Sequence, residues 1–377
     1  MNLVVFCDEA IYSRYPRGRL LRARKSTGLS QRQKRHSACV ARKDRPQKML
    51  RYILQRILLI PVLLFFFSVM VFALIQAPPG DYLTSYIATL ASSGSSLDKA
   101  EIAALERQFG LDQPVHIQYF RWAQNLLRGN LGLSLEYQRP NGELISERLG
   151  LTLVLALAAF VFTWIVAVPL GIYSATHRNT LMDYLTTVLN YIGVATPNFM
   201  LALILMWWAY SQFDVSITGL FSREFEQAPW SFAKVVDLAK HIWLPMIVIG
   251  IAGTARLTRV MRANLLDELN KPYMIAGRAR GLSEWQLIMK YPVRMAINPL
   301  ASTIGWYLPE LFSGSLIVAT VMNLQNIGPL LLRSLINQDM YLAGGILMIY
   351  CLLAIIGTLL SDILLAWLDP RIRMEKA

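Results

Sequence analysis

Residues Lys271 to Pro299 read KPYMIAGRARGLSEWQLIMKYPVRMAINP, a basic, polar interval between strongly apolar segments. It lacks the composition of a loop. Asn270 is a helix-capping residue type, and Pro272 fits a first helical turn, where the amide it lacks would be unpaired anyway. The spacing predicts a short helix over roughly Pro272–Arg280 that stops at Gly281, because glycine enters the left-handed conformation of helix ends without a Cβ clash. Ser283 and Gln286 form the two halves of a capping box and predict a second helix through Trp285 and Ile288 to Pro292. Helix, glycine hinge, helix, at one face of a membrane, is the shape of a docking knob.

The flanking composition supplies the membrane. The chain has 377 residues, 55% of them hydrophobic and only 16% charged, with mean hydropathy +0.40. That excludes an ordinary soluble globular chain and fits a polytopic membrane protein. The formal charge is +13, but residues 1–48 alone carry 13 Lys and Arg against 3 acids. The excess therefore belongs to one tail and does not call for nucleic acid. Cys7, Cys39 and Cys351 share no ligand-like spacing, so neither a disulfide framework nor a metal site is implied.

Residues 1–48 read either as a disordered basic tail, attracted to anionic lipid, or as an upstream translation foreign to the protein; the second is favoured, with Met49 opening MLRYILQRILLIP. Hydropathy then marks six candidate transmembrane helices, at about 52–76, 149–175, 184–211, 241–264, 294–321 and 342–368, each near the roughly 20 residues a crossing requires. Residues 78–148 form a polar insert between the first two, with 6 Lys and Arg against 8 acids, whereas 256–294 hold 8 against 3. Basic loops stay cytoplasmic, so both termini and 265–293 are expected inside. The insert and the 212–240 and 322–341 loops are expected outside. Leu105, Phe109, Ile117, Phe120, Leu126 and Leu127 of the insert are expected to pack as a cap over a pore mouth.

Tyr273, Ala276, Arg278, Ala279, Arg280, Gly281, Leu282 and Pro299 resemble the coupling motif of bacterial ABC importer permeases, in the dipeptide and oligopeptide branch. Ile275 stands where that motif has a leading glutamate, followed by Ala276 and Gly277. The insert's Gly110-Leu111-Asp112-Gln113-Pro114, Gln118-Tyr119, Trp122 and Gly129-Asn130-Leu131-Gly132-Leu133-Ser134 are similar to the same family, as are Asp183-Tyr184, Gly193, Pro197-Asn198-Phe199 and the ending Asp369-Pro370-Arg371-Ile372-Arg373. Between Ser315 and Leu330 the pattern departs, with Ala319 in place of a glutamate and Gln325-Asn326 in place of Pro-Gly.

The resemblance covers nearly all of 49–373 and implies an all-α polytopic fold with six transmembrane helices and an extracytoplasmic insert after the first. Its division would be a first span plus insert over 49–148, a permease core over 149–373 with a coupling helix at about 270–292, and a cytoplasmic tail at 374–377. It implies a bacterial inner-membrane subunit that supplies half of a translocation pathway. Its partners would be membrane lipid, ABC ATPase subunits, a second homologous permease and an extracytoplasmic solute-binding protein. ATP would be bound by the partners, in keeping with the lack of any GxxxxGK[ST] phosphate loop in this chain. Tyr273 to Leu282, with Gly277 among them, would couple to the ATPase.

Three further features bear on the path. Pro197 breaks a membrane helix, so Asn198 marks either a simple kink or a point on the path. Arg256, Arg259 and Arg262 recur every three residues, anchoring to headgroups by default or pairing with the ATPase. Glu310 is an ionisable residue well inside the fifth span, which makes a functional site the default reading; it either contacts solute or bonds a neighbouring helix. A secondary transporter driven by an ion gradient is the competing class, but it gives the helix–Gly281–helix knob no purpose. Peptides are the favoured cargo, with oligosaccharides close behind.

Overall fold

The computed structural model describes residues 45–77, 113–134, 136–213, 218–226 and 228–368. The expectations for residues 1–44, for Gly110-Leu111-Asp112, Leu105 and Phe109, and for the ending 369–377 lie outside the described residues. Within the described residues every extended regular element is a helix: α1 (Arg45–Gln76), α2 (Val115–Leu127), α3 (Asn141–Thr176), α4 (Leu181–Ala195), α5 (Asn198–Phe213), α6 (Arg223–Glu226), α7 (Phe232–Leu269), α8 (Pro272–Ala279), α9 (Glu284–Lys290), α10 (Pro292–Val321), α11 (Ile327–Ile336) and α12 (Met340–Leu368). The chain divides between Leu54 and Gln55, and the hydrophobic cores lie within the larger unit, Gln55–Lys376.

Among the described residues, four stretches are long and apolar enough to cross a bilayer: Arg56–Gln76, Asn141–Thr176, Phe232–Leu269 and Met340–Ile363. α10, with 30 residues, exceeds the required length of about 20. The third expected span, 184–211, is not one helix. α4 and α5 meet there at a bend of 108°. Thr196, at φ −81° and ψ 121°, is extended, as residues before proline are driven to be. Pro197 has no N–H to continue the ladder, and its carbonyl opens the next helix by accepting from Met200 and Leu201 at 3.0 and 3.1 Å. Other helices outrun their hydropathy limits: α1 begins at Arg45, α3 at Asn141, inside the expected insert, and α7 at Phe232.

α3 and α7 pack along a seam of small residues. Ala159, Ala167 and Ala255 are buried there, a Cβ on Gly250 would lie 2.8 Å from Phe162 Cδ1, and one on Gly171 would lie 2.6 Å from Met261 Cβ. In lipid, helices gain little from burying apolar surface against each other, so close approach and interhelical hydrogen bonds hold them together. The seam supplies both. Thr163 Oγ1 donates to the Gly250 carbonyl at 3.1 Å and lies 2.8 Å from the Tyr307 hydroxyl of α10.

The insert's last helix departs from the expected cap. α2 lies along α1 and α12, burying Trp122 against Val71, Phe72 and Met348, with Leu126 and Tyr119 half-buried beside it. Tyr119 and Ser68 hydroxyls are 3.0 Å apart. Tyr119, Trp122 and Leu126 recur at helical spacing on one face; Phe120 and Leu127 fall on the other and are exposed. The segment after α2 is tied down by Asp339, which caps α12. Its buried carboxylate accepts from Ser134 Oγ at 2.5 Å and from the Leu342 N–H at 3.3 Å. Where the family pattern has Pro-Gly, Asn326 caps α11 by accepting from the Gly328 N–H at 3.1 Å, and the Gln325 amide donates to Glu226.

Candidate functional site

The interval that decides the fold forms two short helices joined by a tight turn. Asn270 does not cap α8. It ends α7, its side-chain amide donating to the Leu266 carbonyl at 3.0 Å, while Lys271, at φ −77° and ψ 150°, is the residue before α8. Pro272 explains the displacement, since the residue preceding proline must be extended. At its other end α8 closes in a Schellman turn. Leu282 N–H donates to the Gly277 carbonyl at 3.4 Å and Gly281 N–H to that of Arg278 at 2.9 Å, with Gly281 at φ +75°. α9 then starts on Ser283, whose Oγ accepts from the Gln286 N–H at 3.4 Å.

The two helices are folded against one another through Gly277 and Leu287. Leu287 and Met274 are fully buried, and Gly277 leaves just the space that Leu287 occupies. Ile288 packs beneath against the Leu265, Val293 and Ala296 cluster, at the C-terminal end of α7 and the N-terminal end of α10. Tyr273 donates to Glu268 at 2.7 Å, and Lys271 reaches the same carboxylate at 2.6 Å. Burial, with the Glu268 carboxylate beside it, pushes the Tyr273 phenol far above its usual range, so it stays a hydrogen-bond donor.

The outer face of the knob carries Ala276, Ala279, Arg280 and Gly281 exposed, and Leu282 half-buried. Two large apolar side chains stand out with them: Ile275 is 69% and Trp285 67% exposed. Arg278 and Glu284 pair across the turn at 2.6 and 3.3 Å. The hydrogen bond from Arg278 holds the Glu284 carboxyl below its ordinary range. The result is a packed projection that leaves two large apolar side chains uncovered alongside charged ones.

Two of the three α7 arginines form ion pairs within this chain and the third packs over an aromatic ring, which corrects their expected role as headgroup anchors or ATPase contacts. Arg262 grips Asp183 of α4 with Nε and Nη2, each bond 2.8 Å. Asp183, only 4% exposed, also accepts from the Ser174 hydroxyl and from the Asn179 N–H. Arg256 grips Glu310 of α10 at 2.7 and 3.0 Å. Arg259 lies over the ring of Tyr191, 4.9 Å from its centroid. Pro197 is exposed and Asn198 half-buried at the α4–α5 break.

Sequence reasoning missed the exposure of Ile275 and Trp285, and Glu284 as the partner of Arg278. The signal for the last was present, since a Schellman turn brings the start of one helix back beside the end of the other. The Asp183–Arg262 clamp joins residues 79 apart, and nothing local announces it.

A family model described as "Binding-protein-dependent transport system inner membrane component" matches residues 167–374, and the corresponding N-terminal model matches residues 49–156. The oligopeptide transport system permease protein of Bacillus subtilis is 31% identical over 326 residues, 86% of this chain and 99% of that protein. The peptidoglycan transport system permease protein of Agrobacterium fabrum is 29% identical over 360 residues, 86% and 98% of the two chains. The glutathione transport system permease protein of Salmonella typhimurium is 31% identical over 328 residues, 87% and 100% of the two chains.

Proposed function

The chain belongs to the family of binding-protein-dependent transport system inner membrane components, and on that footing we propose that its α8–α9 knob is the element that seats on an ATP-hydrolysing partner. The chain is the permease subunit of an ABC importer for peptide-like solutes, a multi-pass inner-membrane protein. Tyr273, Ala276, Gly277, Arg278, Ala279, Arg280, Gly281 and Leu282 then form the coupling segment, with Ile275 and Trp285 as its apolar anchors. The observation that carries this reading is that pair of uncovered side chains on a knob whose interior is fully packed.

The knob is continuous with α7 through Asn270 and with α10 through Tyr291, and Ile288 locks it onto both. Closure of an ATPase pair beneath it would therefore displace α7 and α10 as levers. Two arrangements of those helices that dock differently on the ATPases are what alternating access requires. Both termini lie on the cytoplasmic side in this reading, the six membrane-crossing elements counting α4–α5 as one. A second permease completes the pathway, a solute-binding protein delivers cargo from outside, and Pro197, Asn198 and Glu310 border the path. The matched relatives are named for oligopeptide, glutathione and peptidoglycan transport, which share peptide bonds and free carboxylates, and this favours a short peptide or peptide conjugate.

Purification of the tagged chain from gently solubilised membranes, with mass spectrometry of what accompanies it, tests the assembly. Two ATPases, a second permease and a solute-binding protein are expected. Recovery of the chain alone, from a preparation that keeps known complexes intact, would overturn it and leave an ion-gradient-driven transporter.

A further inference from the structure

Besides Arg56–Asp362, which joins α1 to α12, two ion pairs formed by α7 arginines tie α7 to neighbouring helices, and they differ in kind. In Arg262–Asp183 the carboxylate is 4% exposed and is also held by Ser174 and the Asn179 backbone, which makes a clamp. In Arg256–Glu310 the side chains are 39% and 42% exposed, although α7 and α10 hold them inside the expected spans 241–264 and 294–321. Each charge turned to hydrocarbon would cost about 2.5–3.5 kcal/mol or more. The face they share is therefore turned to water or to polar groups.

We propose that Arg256 and Glu310 form a zwitterion-reading site on the translocation path, for short peptides with both termini free. This rests on the transport function argued above. The Arg256 fork takes a carboxylate through two parallel N–H bonds, as it now takes Glu310. A peptide α-carboxylate fits that fork, and the displaced Glu310 accepts the peptide α-ammonium. Without solute the two side chains neutralise each other, so neither charge stands uncompensated in the span. With solute, two pairs replace one and charge is exchanged for charge. That makes the site selective without making it a trap. Swung apart, the two flexible side chains bracket a di- or tripeptide, whose extended length is about 7–11 Å at 3.3–3.6 Å per residue.

The test uses the assembled importer with Cys7, Cys39 and Cys351 replaced by serine, carrying Glu310→Cys or Arg256→Cys. In permeabilised membranes the introduced thiol meets an anionic (sulfonatoethyl) or a cationic (trimethylammonioethyl) methanethiosulfonate. With Glu310→Cys the remaining arginine is expected to favour the anionic reagent about tenfold, and with Arg256→Cys the remaining glutamate to favour the cationic one similarly. No reaction at either position, or equal rates with both reagents, would overturn the site. Glu310→Gln, which keeps the side-chain volume, is then assayed in proteoliposomes with the solute-binding protein. Uptake of trialanine is expected to fall about tenfold relative to N-acetyl-trialanine. An unchanged ratio overturns the zwitterion site alone, whereas a wild-type importer that moves no tripeptide overturns the peptide-transport reading itself.

Discussion

Asp183 and Arg262 meet side-on, each carboxylate oxygen taking one guanidinium N–H at 2.8 Å, and this pair fastens the first turn of α4 to α7. Removing one partner of a buried ion pair leaves the other uncompensated and costs about 3–5 kcal/mol, whereas an apolar pair of similar volume is often neutral. Asp183→Ala is therefore expected to lower the melting temperature of the solubilised protein sharply, and Arg262→Lys to do so in part, because lysine cannot reproduce the fork. The double variant Asp183→Leu with Arg262→Met should recover most of the loss. Equal melting temperatures for wild type and Asp183→Ala would show that the pair does not hold the helices.

Gly281 stands at φ +75° with nothing within 4 Å of where a Cβ would go. The demand for glycine is thus conformational, and left-handed backbone costs an L-residue about 1–2 kcal/mol. Asparagine tolerates the region best, so Gly281→Asn should retain most transport. Gly281→Val should abolish solute-stimulated ATP hydrolysis while membrane insertion, read by protease accessibility, stays normal. Normal coupling in Gly281→Val would remove the knob from the mechanism.

How far the chain can be read without its structure is visible in this same segment. Pro272, Gly281 and Ser283 each act through the backbone within a few residues, so helix, turn and helix were all legible. Asn270 misled because a cap and a proline competed for adjacent positions and the proline's restriction on Lys271 prevailed. Length was less legible than existence: α3 and α7 run past their apolar stretches, since a helix continues for as long as its polar turns find water or partners. The break at Thr196–Pro197 showed as a proline but its angle did not, being set by what α4 and α5 pack against. Arg256, Arg262, Asp183 and Glu310 were each conspicuous alone. Their pairing across 54 and 79 residues is a property of the packed bundle.

Gly253 of α7 and Tyr307 of α10 occupy one space: the tyrosine hydroxyl lies where a Cβ on Gly253 would go. That hydroxyl is also 2.8 Å from Thr163 of α3, so three helices converge on it. Gly253→Ala is expected to destabilise, and less so when Tyr307→Phe has already removed the hydroxyl. The two changes should be non-additive by about 1–3 kcal/mol. A double-mutant cycle on thermal unfolding in detergent measures this, and strict additivity would mean that the seam relaxes elsewhere.

Ile275 and Trp285 are expected to behave as interface residues and not as core. Because both are about two-thirds exposed, replacing either with alanine removes little packing, and the melting temperature of the isolated subunit should move within error. Anchors of this type, an aromatic and a branched aliphatic on a rigid support, carry interface hot spots worth about 2 kcal/mol or more each. Trp285→Ala should then weaken co-purification of the ATPases by roughly thirtyfold, with Ile275→Ala somewhat milder. Leu287→Ala is the contrasting case: fully buried beneath the same surface, it should lower the stability of the knob by about 2–5 kcal/mol and lose ATPase binding only together with that stability. If Trp285→Ala and Ile275→Ala left ATPase recovery unchanged, the apolar face of the knob would not be the seat, and the contact would have to run through Arg278, Arg280 and Glu284 instead.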